Sequence, residues 1–231
     1  MTTQLTASHD PPVDAPLTLT VSDVKQYPYC PRIVYYSYLL PVRARPTTYK
    51  MQEGALEHER IAELEERRSL RAYGLTEGQR PSRASGQRHF DVAVSSDRLA
   101  LRGRLDMIIE TGAELIPVDF KNSEDNIGLN HKYQLTAYAL LVEEVFRPGP
   151  SRASGNDSGQ AWRKPVRRGF IYLIPQRRAV EVRITSNMRG WVHKALREIR
   201  AAIILEAVPP PTRMRYRCVD CEFRNLCPDV W

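Results

Sequence analysis

The sequence predicts an α/β domain with a mixed sheet, and three observations predict it. Helical periodicity dominates both ends of the chain, from about Ser22 to Tyr73 and again beyond Ser186. The stretch between Arg88 and Phe120 changes to short β-rich runs separated by turn formers. A helix and two further strands then follow, and no segment repeats another.

Each element has its own local reason. Residues Met1 to Pro16 are rich in Thr, Pro and Asp without periodicity, so 1–16 reads as a disordered tail and 17–231 as one domain. A helix begins near Ser22 and is broken at Pro28 and Pro31, around Cys30. The apolar and aromatic run Ile33–Leu40 suits either a helix covering the cysteines or an interface. From Thr48 to about Tyr73, Glu and Arg pairs at i,i+4 accompany Leu56, Ile61 and Leu64 on one face.

HFDVAV, LALRG, RLDMIIE and ELIPVDF form a predicted meander, turning at Ser95–Asp97 and at Thr111–Ala113. A helix over Leu129–Phe146 buries Leu135, Leu140 and Leu141. The polar, Gly/Ser-rich stretch 147–165 reads as a mobile loop. Strands over Gly169–Pro175 and Val180–Ile184 lead to a helix capped by Ser186, running to about Ala207 and ended by Pro209–Pro211.

The 231 residues are 42% hydrophobic and 26% charged, as in ordinary globular domains. No apolar run approaches bilayer length, so no membrane partner is expected. The N-terminus lacks the basic start and apolar core of a secretory signal, which predicts a cytoplasmic protein with reduced thiols. Lys and Arg total 34 against 27 Asp and Glu, a net charge of +7, which favours a polyanionic partner.

The densest chemistry lies in GRLDMIIETGAELIPVDFKNS. Antiparallel strands joined by the short Thr111–Ala113 turn would bring Asp106 and Asp119 together, and alternation places Asp119 and Lys121 on one side. Two adjacent carboxylates repel unless a cation lies between them. Magnesium or manganese would fill that role, with Lys121 holding a water or stabilising charge on a phosphate. The plainer reading makes the aspartates a strand end and a turn cap. The neighbours Val118 and Phe120 count against it, because a buried charge without a partner is costly. His58 on the preceding helix is a candidate ligand, and Gln134 and Tyr138 share a helix face at i,i+4.

Cys30 and the C-x2-C-x5-C group Cys218, Cys221 and Cys227 form a second site. Four thiolates suit zinc or an iron–sulfur cluster. One distant ligand, and Pro228 after the last cysteine, favour the cluster over zinc, and disulfides come last. Arg213, Arg215, Arg217 and Arg224, with Tyr216 and Phe223 between them, are either a solvated face or a DNA-binding rim.

Gly54 with His58, Gly103 with Asp106, Asp119-Phe120-Lys121, and Gln134 with Tyr138 resemble, in order, the motifs of RecB-like nucleases of the PD-(D/E)xK superfamily. With Cys30 in YPYCPRIVYY and the C-terminal triad, the chain resembles the CRISPR-associated iron–sulfur exonucleases, fourth of the Cas families. The resemblance spans about Ser22 to Pro228.

It implies a restriction-endonuclease-like mixed central sheet flanked by helices, with the chain ends joined by a [4Fe–4S] cluster. It also implies Mg²⁺- or Mn²⁺-dependent cleavage of single-stranded DNA. The implied role is the trimming of prespacers beside the integrase made by the first and second Cas proteins. Carried over, His58, Asp106, Asp119 and the carbonyl of Phe120 would be metal ligands and Lys121 the catalytic lysine, with Gln134 and Tyr138 in support. Cys30, Cys218, Cys221 and Cys227 would hold the cluster. The chain departs from the family in its long loop 147–165 and in having Asp119 where Glu is frequent. A RecB-like recombination or phage nuclease, or a non-catalytic iron–sulfur scaffold for an integrase, would carry many of the same residues.

Overall fold

The computed structural model describes residues 16–40, 61, 64, 70–75, 86–123, 127–146 and 166–230. The expected tail (but for Pro16), His58 and the loop 147–165 lie outside the described residues, as does most of the helix expected from Thr48.

Strand β1 (Leu19–Thr20) runs straight into helix α1 (Val21–Gln26). Thr20 caps α1 reciprocally: its hydroxyl accepts from the Asp23 N–H while the Asp23 carboxylate accepts from the Thr20 N–H. Pro31 opens α2 (Pro31–Leu39), where a missing N–H costs nothing. The chain then forms a 3₁₀ turn (Leu70–Tyr73) and strands β2 (Gln87–Ser96), β3 (Leu101–Glu110) and β4 (Leu115–Lys121). The runs LALRG and RLDMIIE, read separately in the sequence, belong largely to the single strand β3. After α3 (Leu129–Val145) come β5 (Arg168–Leu173), β6 (Arg178–Arg183), α4 (Ser186–Ile204) and a 3₁₀ turn (Arg215–Cys218). Thr185, not Ser186, caps α4 by accepting from the Met188 N–H.

The mixed sheet has the order β1-β3-β4-β5-β6, with β2 paired to the other edge of β3. Pairs β2–β3, β3–β4 and β5–β6 are antiparallel; β1–β3 and β4–β5 are parallel. Parallel neighbours cannot be joined by a tight turn, so the chain crosses from β4 to β5 through α3. That crossover sets the start of α3 near the end of β4, which decides where the site forms. Pro117 is tolerated in this inner strand because its pairing to β5 begins one residue later, at Val118.

Two cores result. Leu135, Leu141, Ile171 and Val192 pack between the sheet and α3 and α4. Met107, Val118, Phe120 and Tyr172 form the core on the opposite face, with Ile61 and Tyr73. Leu64, expected beside Ile61, is 52% exposed. Three residues turn a helix about 60° short of a full circuit, enough to leave a narrow contact stripe. In the β2–β3 ribbon the faces exchange: Val92, Val94, Leu101 and Leu105 serve the first core, Phe90, Met107 and Ile109 the second. The exchange falls at Asp91, whose φ of 53° is left-handed, and at Asp106 opposite it.

The Tyr35–Tyr38 segment belongs to the interior. Tyr35 and Tyr36 are buried, and the Tyr38 hydroxyl donates to Asp23. No described helix is long and apolar enough to cross a membrane.

Candidate active site at the fork between two strands

Strands β3 and β4 are paired only from Met107↔Val118 to Glu110↔Leu115; beyond that β4 leaves β3 and pairs with β5. On the same edge of β3, β1 pairs only with Leu101 and Arg102. Residues 103–106 of β3 therefore have no ladder partner on that side among the described strands. Side chains close the gap. Asp106 Oδ2 accepts the Phe120 N–H at 2.6 Å, and the Tyr138 hydroxyl donates to the Arg104 carbonyl at 2.6 Å. Both contacts satisfy backbone groups that a continuous ladder would have taken.

Asp119, the next position of β4 after Val118, turns toward α3, away from the core that holds Phe120. It is 3% exposed. Lys121 Nζ lies 2.6 Å from Asp119 Oδ2, at ion-pair distance but off the axis of a hydrogen bond. Burial pushes the Asp119 carboxyl above the usual carboxylate range; Lys121 opposes the shift and Asp106 adds to it. The expected convergence of Asp106, Asp119 and Lys121 is thus present. The Phe120 N–H serves Asp106, and its ring packs in the opposite core.

Helix α3 presents Gln134 and Tyr138, as their spacing predicts. Both are buried, and Gln134 Oε1 has no hydrogen-bond partner. Burial first, then the charges of Asp119 and Asp106, raise the Tyr138 hydroxyl above its ordinary value, while a hydrogen bond from Gln134 opposes this. Two residues escaped the sequence reading. Lys25 of α1 is pushed below the usual lysine range by burial and by Lys121, with Asp119 acting against the shift. His131 is lowered to about 4 by burial, Lys121 and Lys25. The spacing of His131 from Gln134, i,i+3, was the available signal for that histidine. Nothing local marks Lys25, because the packing of α1 against α3 is a tertiary fact.

Among the described residues no three His, Cys, Asp or Glu side chains converge as metal ligands. The fork offers two carboxylates and a buried amide oxygen without a donor. That hard-oxygen set is of the chemical kind that would suit a divalent cation.

The four free cysteines approach one another from opposite ends of the chain, near enough to interact electrostatically without being grouped as ligands. Cys30 stands at the N-cap position of α2, its thiol making no capping hydrogen bond, and is buried with Ile33, Tyr36 and Phe223, against which Cys221 and Cys227 pack. The Cys221 thiol is raised by burial and, further, by Cys30, Cys218 and Cys227, so all four lie within electrostatic reach. Two arginines cross between the segments. Arg32 donates to Cys227 Sγ at 3.4 Å and to the Pro209 carbonyl at 2.8 Å, and pairs with Asp229. Arg217 donates to the Tyr29 carbonyl at 2.9 Å and stacks on the Tyr29 ring. A clustered soft-donor set with a cation beside it suits a thiolate-bound centre.

The expected basic rim is only partly a surface. Phe223 is buried in the cysteine core, and Arg217 is spent on Tyr29, because the short C-terminal segment must turn side chains inward to make any core. Tyr216 remains 71% exposed.

Residues 51–228 match the sequence profile of the PD-(D/E)XK nuclease superfamily. The chain is 30% identical over 216 residues to the CRISPR-associated exonuclease Cas4 of Francisella tularensis subsp. novicida, covering 94% of this chain and 96% of that one. It is 26% identical over 220 residues to the CRISPR-associated exonuclease Cas4 of Aeropyrum pernix, covering 90% and 93%. A CRISPR-associated exonuclease Cas4/endonuclease Cas1 fusion of Geobacter sulfurreducens is 23% identical over 217 residues, 90% of this chain and 33% of the fusion. The crystal structure of SSO0001 shares the fold, with a TM-score of 0.51 at 18% identity over 97% of this chain and 91% of that one.

Proposed function

The chain belongs to the CRISPR-associated exonuclease Cas4 family of PD-(D/E)XK nucleases, and on that premise we propose that it hydrolyses phosphodiester bonds in single-stranded DNA or overhangs, trimming prespacers for spacer acquisition in the cytoplasm. The observation that carries this reading is the meeting of Asp106, Asp119 and Lys121 at the β3–β4 fork.

Asp106, Asp119, His58 and the Phe120 carbonyl would hold Mg²⁺ or Mn²⁺. Bound there, the ion supplies Lewis-acid polarisation of the phosphate and a more acidic water. Lys121 would orient an attacking water or neutralise charge developing on the phosphate oxygens, and its pairing with Asp119 holds the ammonium in place. Gln134 Oε1, buried and without a donor, accepts a hydrogen bond from the incoming water. Tyr138 fixes β3 through the Arg104 carbonyl and so keeps Asp106 opposite Phe120.

Cys30, Cys218, Cys221 and Cys227 would carry a [4Fe–4S] cluster that fastens the two chain ends. The match to a relative fused to an endonuclease Cas1 supports association with an integrase made by the first and second Cas proteins.

Cleavage of end-labelled single-stranded DNA with Mn²⁺ tests the reading. The wild type should cut, and Asp106→Ala and Lys121→Ala should not. Equal activity in all three removes the site assignment. Tight binding without cleavage in the wild type favours a scaffold in its place.

A further inference from the structure

A cavity of about 480 Å³ opens beside the fork, lined in part by Ser22, Ala93, Ser95, Arg102, Gly103 and Tyr138. We propose that it is a nucleotide subsite, receiving one unpaired nucleotide of the strand next to the bond cleaved at Asp106 and Asp119. The proposal rests on the nuclease reading for the position of that bond.

Tyr138 is the shared wall. Its ring lines the cavity, and its hydroxyl lies in the field of both catalytic carboxylates. Whatever fills the cavity is therefore adjacent to the reacting phosphate. Gly103 makes the arrangement possible, since a Cβ there would stand 2.7 Å from Val21 and 2.9 Å from Tyr138. With no side chain at 103, the first turn of α1 and the Tyr138 ring can both close on β3.

The lining matches a nucleotide. Ala93 and Val94 give apolar surface for a sugar and base, while Thr20, Ser22 and Ser95 bring hydroxyls. Arg102 is an exposed cation with no hydrogen-bond or ion-pair partner among the described residues, available to a phosphate. Arg104, by contrast, is already paired with Asp91. The volume lies toward the lower end of ligand pockets, roughly 300–1,000 Å³. It has room for one nucleotide, and an unpaired strand is free to turn a base into it.

The test uses the full chain with labelled oligothymidylate in EDTA, read by fluorescence anisotropy. Ala93→Phe fills the cavity from an exposed wall, and Arg102→Glu reverses the unpaired charge. Each should raise Kd for the single strand about tenfold or more, and Arg102→Glu should lower the salt slope by about one. With Mn²⁺, KM should rise more than kcat falls. Thermal melting identifies a variant that fails to fold, and the other then carries the test. Unchanged affinity in the folded variants overturns the subsite. Lost affinity in the variants, beside a wild type that binds but never cuts, supports the subsite and removes the nuclease reading.

Discussion

The Asp106 carboxylate accepts the backbone N–H of Phe120 at 2.6 Å, so one of the two proposed metal-binding carboxylates is held by the residue that follows the other. Under the proposed function Asp106 has a structural and a chemical task, which substitutions can separate. Asp106→Asn keeps an acceptor for the N–H and should cost less than about 1 kcal/mol of stability. Asp106→Ala orphans a buried donor and should cost about 1–3 kcal/mol. Both should lower cleavage about 100-fold or more, since both remove the charge. Urea denaturation with single-turnover cleavage checks this; equal stability of the two variants would refute the structural task.

Arg32 and Arg217 clasp the chain ends in opposite directions, each one or two residues from a cysteine. Arg32→Gln removes a cation from Cys227 and from the partly exposed Asp229 and should cost about 1–2 kcal/mol. It should also speed the loss of visible absorbance under chelator. Cys30→Ala should yield colourless, poorly soluble protein, since closing so long a loop restricts the unfolded chain. A coloured, fully stable Cys30→Ala protein would contradict the assignment.

Gly103→Ala places a methyl group within 2.9 Å of both Val21 and Tyr138. Overpacking of this kind costs about 1–3 kcal/mol. Because Tyr138 must move, cleavage should fall more than the melting temperature alone predicts. Gly190→Ala, which meets nothing within 4 Å inside α4, is the matched control: it should leave cleavage unchanged and raise stability by roughly 0.5–1 kcal/mol.

His131 takes its proton at about pH 4 in the folded protein and near 6.5 when unfolded. Between those values the unfolded chain binds more protons, so stability falls as pH drops through that window. His131→Asn should flatten this part of the stability profile, measured as denaturant midpoints at pH 7 and pH 5. An imidazole NMR titration centred near 6.5 in the folded protein would rule the shift out.

Much of the fold is legible in the chain because it is local. The turn at Thr111–Ala113 sets the β3–β4 register, and that register brings Asp106 to Asp119; alternation alone puts Lys121 beside Asp119. Leu135, Leu140 and Leu141 are legible as core contacts from their apolar character, and α3 is in fact buried all round from Gln134 to Val142. Leu64 and Phe223 are misread because an apolar residue does not declare which surface it meets. Lys25 is missed because its environment comes from α3, far along the chain.

Residue chemistry and short-range geometry, then, are properties of the sequence itself: paired carboxylates and a lysine on neighbouring strands, and thiols at both ends able to share one centre. Tertiary structure alone decided that β4 would part from β3 at Asp106, that α1 would bring Lys25 over the gap, and that Arg32 would cross to Cys227. Those are contacts between segments remote in sequence. They are chosen by the packing of whole elements, which no local pattern of side chains encodes.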